Sequence, residues 1–180
     1  RNRMMRLIEI GIIVSSELNL DVLLEKVVHH ARELTSADGG TLYLLEDNHL
    51  HGQIVQNQTL GIYEGGTTGN SIKWPPVPLV KSNVSAYSVL EGKTVKIDNI
   101  YESEDFNFAG PSRFDQEQAY QTRSMLVLPM KNHNDNVIGA LLLINATDPK
   151  TGEVSPFPEE DVSLVEMLAS QAAVAIANVN

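Results

Sequence analysis

The chain reads as an α+β protein, an antiparallel sheet with helices beside it, and three observations predict this class. Both ends carry apolar residues at helical spacings of three and four; the interior carries paired β-rich runs joined by short polar turns; and long Gly- and Pro-containing gaps separate those pairs. With 180 residues and 42% hydrophobic content, the chain can bury one core of ordinary size without disulfides or a structural metal.

Residues 2–16, "NRMMRLIEIGIIVSS", predict a first helix with Met5, Ile8, Ile12 and Ser15 along a coiled-coil seam. A second helix follows, with Asn19 as its cap, Leu18 stapled onto Leu23, and Leu20, Leu24, Val27, Ala31 and Leu34 as its core stripe. "SADGG" is expected to stop it. The runs 40–47 and 50–57 predict a hairpin, and the gap 58–82, with "EGGTTGN" and "WPPVP", predicts a lid. "NVSAYSVLEG" (83–92) predicts a short helix, "KTVKID" a strand, and 99–120 a second lid with one or two helical turns. Residues 123–131 and 136–146 predict a long hairpin around the turn "NHND". After Pro158 a last helix begins, with Val165, Ala169, Ala172, Ile176 and Val179 as a second seam. The expected organisation is a connecting helix at 1–18 and one domain at 19–180, ending in a second connecting helix. Because the chain lacks an initiator Met and its ends read as helix, it is read as a piece of a longer protein, with a homodimer formed through the terminal helices.

A net charge of -10 with scattered Lys and Arg argues against nucleic acid and anionic lipid as partners. No apolar run is read as approaching the ~20 residues of a membrane span. The basic, then apolar, opening carries Glu9 and lacks a cleavage site, so it is not read as an export signal. The absence of cysteine excludes disulfides, thiol catalysis and thiolate metal sites, and the expected location is cytoplasmic. No nucleophile elbow, zinc-protease motif or Walker loop is present, so no catalytic residues are assigned. His29 and His30 are adjacent on a helix and expected to point about 100° apart. His49 and His51 share a strand face without a third ligand, and His133 sits in a turn. No metal or other cofactor is expected.

The stretch "FDQEQAYQTRSMLVLPMKN" resembles the GAF-domain pattern D-x-x-T-G-[FY]-x-[ST]-R-x-[IM]-L-x-x-P-[IM]-K at Asp115, Tyr120, Thr122, Arg123, Leu126, Pro129 and Lys131, with Gln118 and Ala119 in place of Thr-Gly. "VIGALLLINATDPKTGEVSPFPEED" is similar to the N-K-(x)n-F-x-x-x-D-E signature of the cyclic-nucleotide subgroup, with Asn145, Phe157 and Asp161 in place. Ala146 stands where Lys is usual and Val162 where Glu is. The resemblance covers residues 114–161 well and 7–178 loosely. It implies a GAF-like sandwich: about five or six antiparallel strands, terminal helices on one face, short helices and lids on the other. It also implies a regulatory sensor from a bacterial multidomain protein, binding a small molecule such as cyclic AMP or cyclic GMP. The output domain would be a cyclic-di-GMP phosphodiesterase, cyclase or kinase. In the family a Lys-Asp pair braces the pocket wall, so Ala146 favours an alternative, a ligand-free dimerisation or spacer module.

Candidate ligand residues follow. Asn83, Ser85 and Ala86 stand at a helix N-terminus that can receive a phosphate, with simple capping by Asn83 or Ser85 as the competing reading. Tyr43, Tyr87, Tyr101, Phe106, Phe114 and Tyr120 can stack on a flat ligand or fill core. Asp115 can accept a hydrogen bond from a purine edge, although it equally caps a turn, and Thr122 of the same motif is counted with the ligand residues. Arg123 can pair with phosphate, or pin its loop through Glu117 or Asp115.

Overall fold

The computed structural model describes residues 2–180; Arg1, the first residue of the expected 1–18 segment, lies outside them. Helices α1 (Arg3–Ser16) and α2 (Leu20–Thr35) open the chain, followed by strands β1 (Ala37–Glu46), β2 (His49–Asn57), β3 (Ile62–Gly65) and β4 (Val77–Pro78). Helix α3 (Val84–Glu91), strand β5 (Val95–Ile97), a 3-10 turn (Ile100–Glu102) and helix α4 (Ala109–Gln118) form the middle. Strands β6 (Met125–Lys131), β7 (Val137–Thr147) and β8 (Val154–Ser155) and helix α5 (Glu159–Val179) complete it.

The strands form one antiparallel sheet in the order β3-β2-β1-β7-β6-β5, with β4 added to β2 and β8 to β7. Alternation of side chains along each strand separates two layers. Leu126, Leu128, Leu141 and Leu143 join the core beneath α1, α2 and α5. Met125, Val127 and Ala140 pack with Val84 and Val89 of α3 on the opposite side. Long helices therefore cover one face, while α3, α4 and their loops cover the other.

Local chemistry explains the boundaries. Asn19 and Asn83 accept hydrogen bonds from the first-turn amides of α2 and α3, removing donors that a helix cannot satisfy internally. Helix α2 ends at Ser36 in the left-handed conformation (φ 54°), so "ADGG" is no terminator but the start of β1. Glycine is needed there because a Cβ on Gly39 would stand 2.9 Å from Ile144 and one on Gly40 2.9 Å from Val28.

Other expectations are also corrected. Leu18 is 83% exposed, so it does not staple α2. The region 58–82 contains the short strands β3 and β4, and the second lid contains the ten-residue α4. The α5 seam is consumed within the chain: Val165, Ala169, Ala172 and Ile176 are buried in the core shared with α1 and α2. This helix of 21 residues, with mean hydropathy 1.5, is long and apolar enough to cross a membrane, contrary to the reading of the sequence. Half of its apolar window is buried, as in the central helix of a packed domain.

Candidate functional site

A cavity of about 170 Å³ lies on the α3 side of the sheet. Its floor comes from β1, β2, β6 and β7, through Thr41, Tyr43, Asn57, Met125, Leu142 and Ile144. The N-terminus of α3 supplies one wall with Asn83, Val84 and Ser85, and the roof is Trp74 with Phe108 and Phe114. Trp74 and Phe114 meet at 5.6 Å between ring centroids, closing the cavity with two aromatic surfaces. The lining is mainly apolar and includes no charged side chain.

Two polar features face this space. Asn83 Oδ1 accepts from the Ala86 amide at 3.1 Å, leaving the earlier first-turn amides of Val84 and Ser85, which have no intrahelical acceptor, at the positive end of the helix dipole. Asn57 is 2% exposed; its Oδ1 accepts from the Leu60 amide at 3.0 Å, while its Nδ2 makes no hydrogen bond among the described residues. That amide lies close enough to the Tyr120 hydroxyl to pull the phenol's pKa slightly down, without forming a well-aligned bond. A buried donor left without a well-aligned acceptor costs about 1–3 kcal/mol.

Behind the wall runs a closed polar network. Asp115 is buried and accepts from the Tyr101 hydroxyl and from Thr122, at 2.8 Å from both its amide and its Oγ1. Tyr120 donates to Asp38 at 2.6 Å and accepts from Asn145 Nδ2 at 2.9 Å. Asn145 holds a left-handed backbone (φ 57°) and also accepts from the Arg123 amide at 2.7 Å. Burial pushes the Tyr43 phenol up to about 12. Burial, followed by the Asp38 carboxylate, pushes Tyr120 well above the ordinary tyrosine range.

Of the candidates named from sequence, Tyr43, Asn83, Ser85, Phe114 and Thr122 line the cavity. Ala86 is fully buried behind Asn83, and Tyr87 packs edge-on against Phe106 at 5.2 Å. Tyr101, Asp115 and Tyr120 belong to the supporting network. Arg123 is exposed, with no ion pair from its guanidinium to Glu117 or Asp115 among the described residues. Phe157 is fully buried in the core under the long helices. Asp161 is held by Arg3 of α1 rather than by a residue at position 146. Sequence reasoning missed Asn57, Trp74 and Phe108. Strand alternation alone would have found Thr41 beside Tyr43 and Leu142 beside Ile144.

The histidine pair is arranged differently from expectation. Ring rotations bring donor atoms of His29 and His30 together with Glu33, all within 4.8 Å of one another. Hydrogen bonds from the Arg6 guanidinium, followed by His30, hold the Glu33 carboxyl down to about 2.

An antiparallel sheet with a walled cavity on one face and long terminal helices on the other is the architecture of a family of regulatory and sensor modules found in signalling proteins. The chain belongs to the GAF domain family, which matches it over residues 19–176. It is 25% identical over 166 residues to a dual 3',5'-cyclic-AMP and -GMP phosphodiesterase 11A of Takifugu rubripes, covering 92% of this chain and 17% of that protein. Its fold is similar to the GAF domain of a phosphoenolpyruvate-protein phosphotransferase from Coxiella burnetii, with TM-score 0.74 and 17% identity over 98% of this chain and 94% of that one. It is also similar to the free methionine-R-sulfoxide reductase of Neisseria meningitidis in complex with its substrate, with TM-score 0.66 and 16% identity over 96% and 87% of the two chains.

Proposed function

We propose that this GAF domain senses a small flat ligand in the cavity between the sheet and α3, with a cyclic mononucleotide as the leading class. The observation carrying this reading is a mainly apolar cavity that sets the aromatic side chains of Tyr43, Trp74 and Phe114 against the N-terminus of α3. Tyr43, Trp74 and Phe114 offer aromatic faces to a base. The free amides opening α3 suit a single phosphate charge. At about 170 Å³ the cavity is smaller than the ~300–1,000 Å³ of drug-sized sites, so the Trp74-Phe114 roof opens on binding, and the site favours a mononucleotide over a dinucleotide. Similarity to a cyclic-nucleotide phosphodiesterase supports the same class.

No catalytic role is assigned. The cysteines that a thiol-based reductase on this fold would need are missing from the sequence. The output is an absent domain, such as a cyclic-di-GMP phosphodiesterase, cyclase or kinase of a bacterial cytoplasmic protein, reached through α1 and α5. Because the α5 seam is buried, α1 is left to pair the copies: Met5, Ile8 and Ile12 are 53%, 51% and 64% exposed on one stripe, and a second chain covering it makes a homodimer. Ala146, where the nucleotide-binding subgroup has Lys, favours the second reading, a ligand-free spacer.

Thermal unfolding of the chain with cyclic AMP, cyclic GMP, cyclic-di-GMP and no ligand separates these readings. Saturation at 100 times the dissociation constant adds about 2.7 kcal/mol, a rise of several degrees. A saturable shift with one mononucleotide is expected. No shift with any of the three favours the spacer.

A further inference from the structure

Away from the cavity, the last turns of α2 gather two imidazoles and a carboxylate. His29 and Glu33 are four residues apart and His30 and Glu33 three, so both rings reach one carboxylate along the helix surface. The rings meet edge to face at 5.0 Å, and His30 Nδ1 stands 2.9 Å from Glu33 Oε1. Ligands about 2.0–2.1 Å from a tetrahedral ion lie about 3.3 Å apart, so this contact is already near the edge of a coordination shell.

We propose that His29, His30 and Glu33 bind a divalent transition-metal ion of the zinc type, and that the ion competes with Arg6 for the Glu33 carboxylate. Imidazole and carboxylate without thiolate suit a borderline ion such as zinc rather than calcium or magnesium. The carbonyl end of α2 adds a partial negative charge that favours a cation. His29 and Glu33 are exposed, and a surface cleft lined by both, with Asp38 and Gln58, leaves room for a water ligand in the fourth position.

Arg6 gives the site a consequence. Its Nε lies 2.8 Å from Glu33 Oε2 and its terminal nitrogen 2.9 Å from Oε1, which fastens α1 to α2. An ion on Glu33 repels that guanidinium and draws charge from the carboxylate. Metal occupancy therefore weakens one of the contacts that dock the connecting helix. This input is separate from the cavity and does not depend on what the cavity binds.

Calorimetric titration of the metal-free chain with zinc chloride tests it. Uptake of about one equivalent is expected, weakened at least about tenfold in His29→Gln and in Glu33→Gln. Both substitutions are at exposed positions; His29→Gln should leave the zinc-free thermal midpoint unchanged, and Glu33→Gln, which also loses the Arg6 pair, should show a lower midpoint with a single cooperative transition that marks a folded chain. Arg6→Gln removes the competing cation and tightens zinc binding severalfold. The doubly substituted His49→Gln/His51→Gln chain binds as the parent does. The proposal is overturned by an absence of saturable uptake, by loss of binding in the His49/His51 variant instead, or by an Arg6→Gln chain that binds zinc no more tightly than the parent.

Discussion

Arg3, in the first turn of α1, donates its guanidinium to Asp161, in the first turn of α5, and to the Leu34 carbonyl near the end of α2. The Asp161 side chain is 9% exposed, whereas the Arg3 side chain is 42% exposed, so the pair reaches from the core to the surface. Asp161 is thus reached from the first turn of α1, and Ala146 offers it no charged side chain. Arg3→Met strands a nearly buried carboxylate and, discounted for the exposed arginine, should cost about 1–3 kcal/mol, lowering the thermal midpoint by several degrees. A double-mutant cycle with Asp161→Asn should show coupling of about 1 kcal/mol or more. Strictly additive losses would mean that the two side chains do not act together.

How much of this was legible follows from the range of each signal. Caps at Asn19 and Asn83, the paired hairpins and the helical ends are local and were readable from residue spacing. Trp74 meeting Phe114, and Asn57 facing the cavity, depend on loops whose course no period encodes. Arg3 reaching Asp161 spans 158 positions, and a basic residue early in an amphipathic helix carries no mark of its distant partner. The α5 seam misled for a related reason. A heptad stripe states that a face will be buried, but not whether the covering helix belongs to the same chain.

The Tyr120 hydroxyl links β1 to β7 by donating to Asp38 and accepting from Asn145. Tyr120→Phe leaves the Asn145 amide with one fewer acceptor and Asp38 without that donor. A loss of about 1–3 kcal/mol is expected in denaturant unfolding, with no change in slope. A loss within experimental error would show that water replaces the hydroxyl and that the network does not stiffen the wall.

Asn57→Leu tests the open donor. The substitution removes the unpaired Nδ2 and also the acceptor for the Leu60 amide, two changes of opposite sign. The ligand-free midpoint should therefore move by no more than about 1 kcal/mol equivalent. The ligand-induced rise should fall by at least half. A full ligand response in a folded Asn57→Leu chain would remove this residue from recognition while leaving the cavity itself in place.

Alkaline pH probes the same wall. Tyr43, which lines the cavity, is pushed up to about 12 by burial. Tyr120 is raised further still, by burial and then by Asp38. An unfolded phenol ionises near pH 10, so above that value the unfolded state has released protons that the folded state still holds. Stability from these groups is complete below about pH 10 and is lost progressively as pH climbs through about 12. Tyrosinate absorbance followed against near-ultraviolet circular dichroism should show a late fraction of ionisation that coincides with loss of tertiary signal. In Tyr43→Phe that late fraction should shrink and the alkaline transition should move to higher pH. Complete phenol ionisation near pH 10 in a chain that retains its dichroism would show that both hydroxyls are open to water in the folded chain.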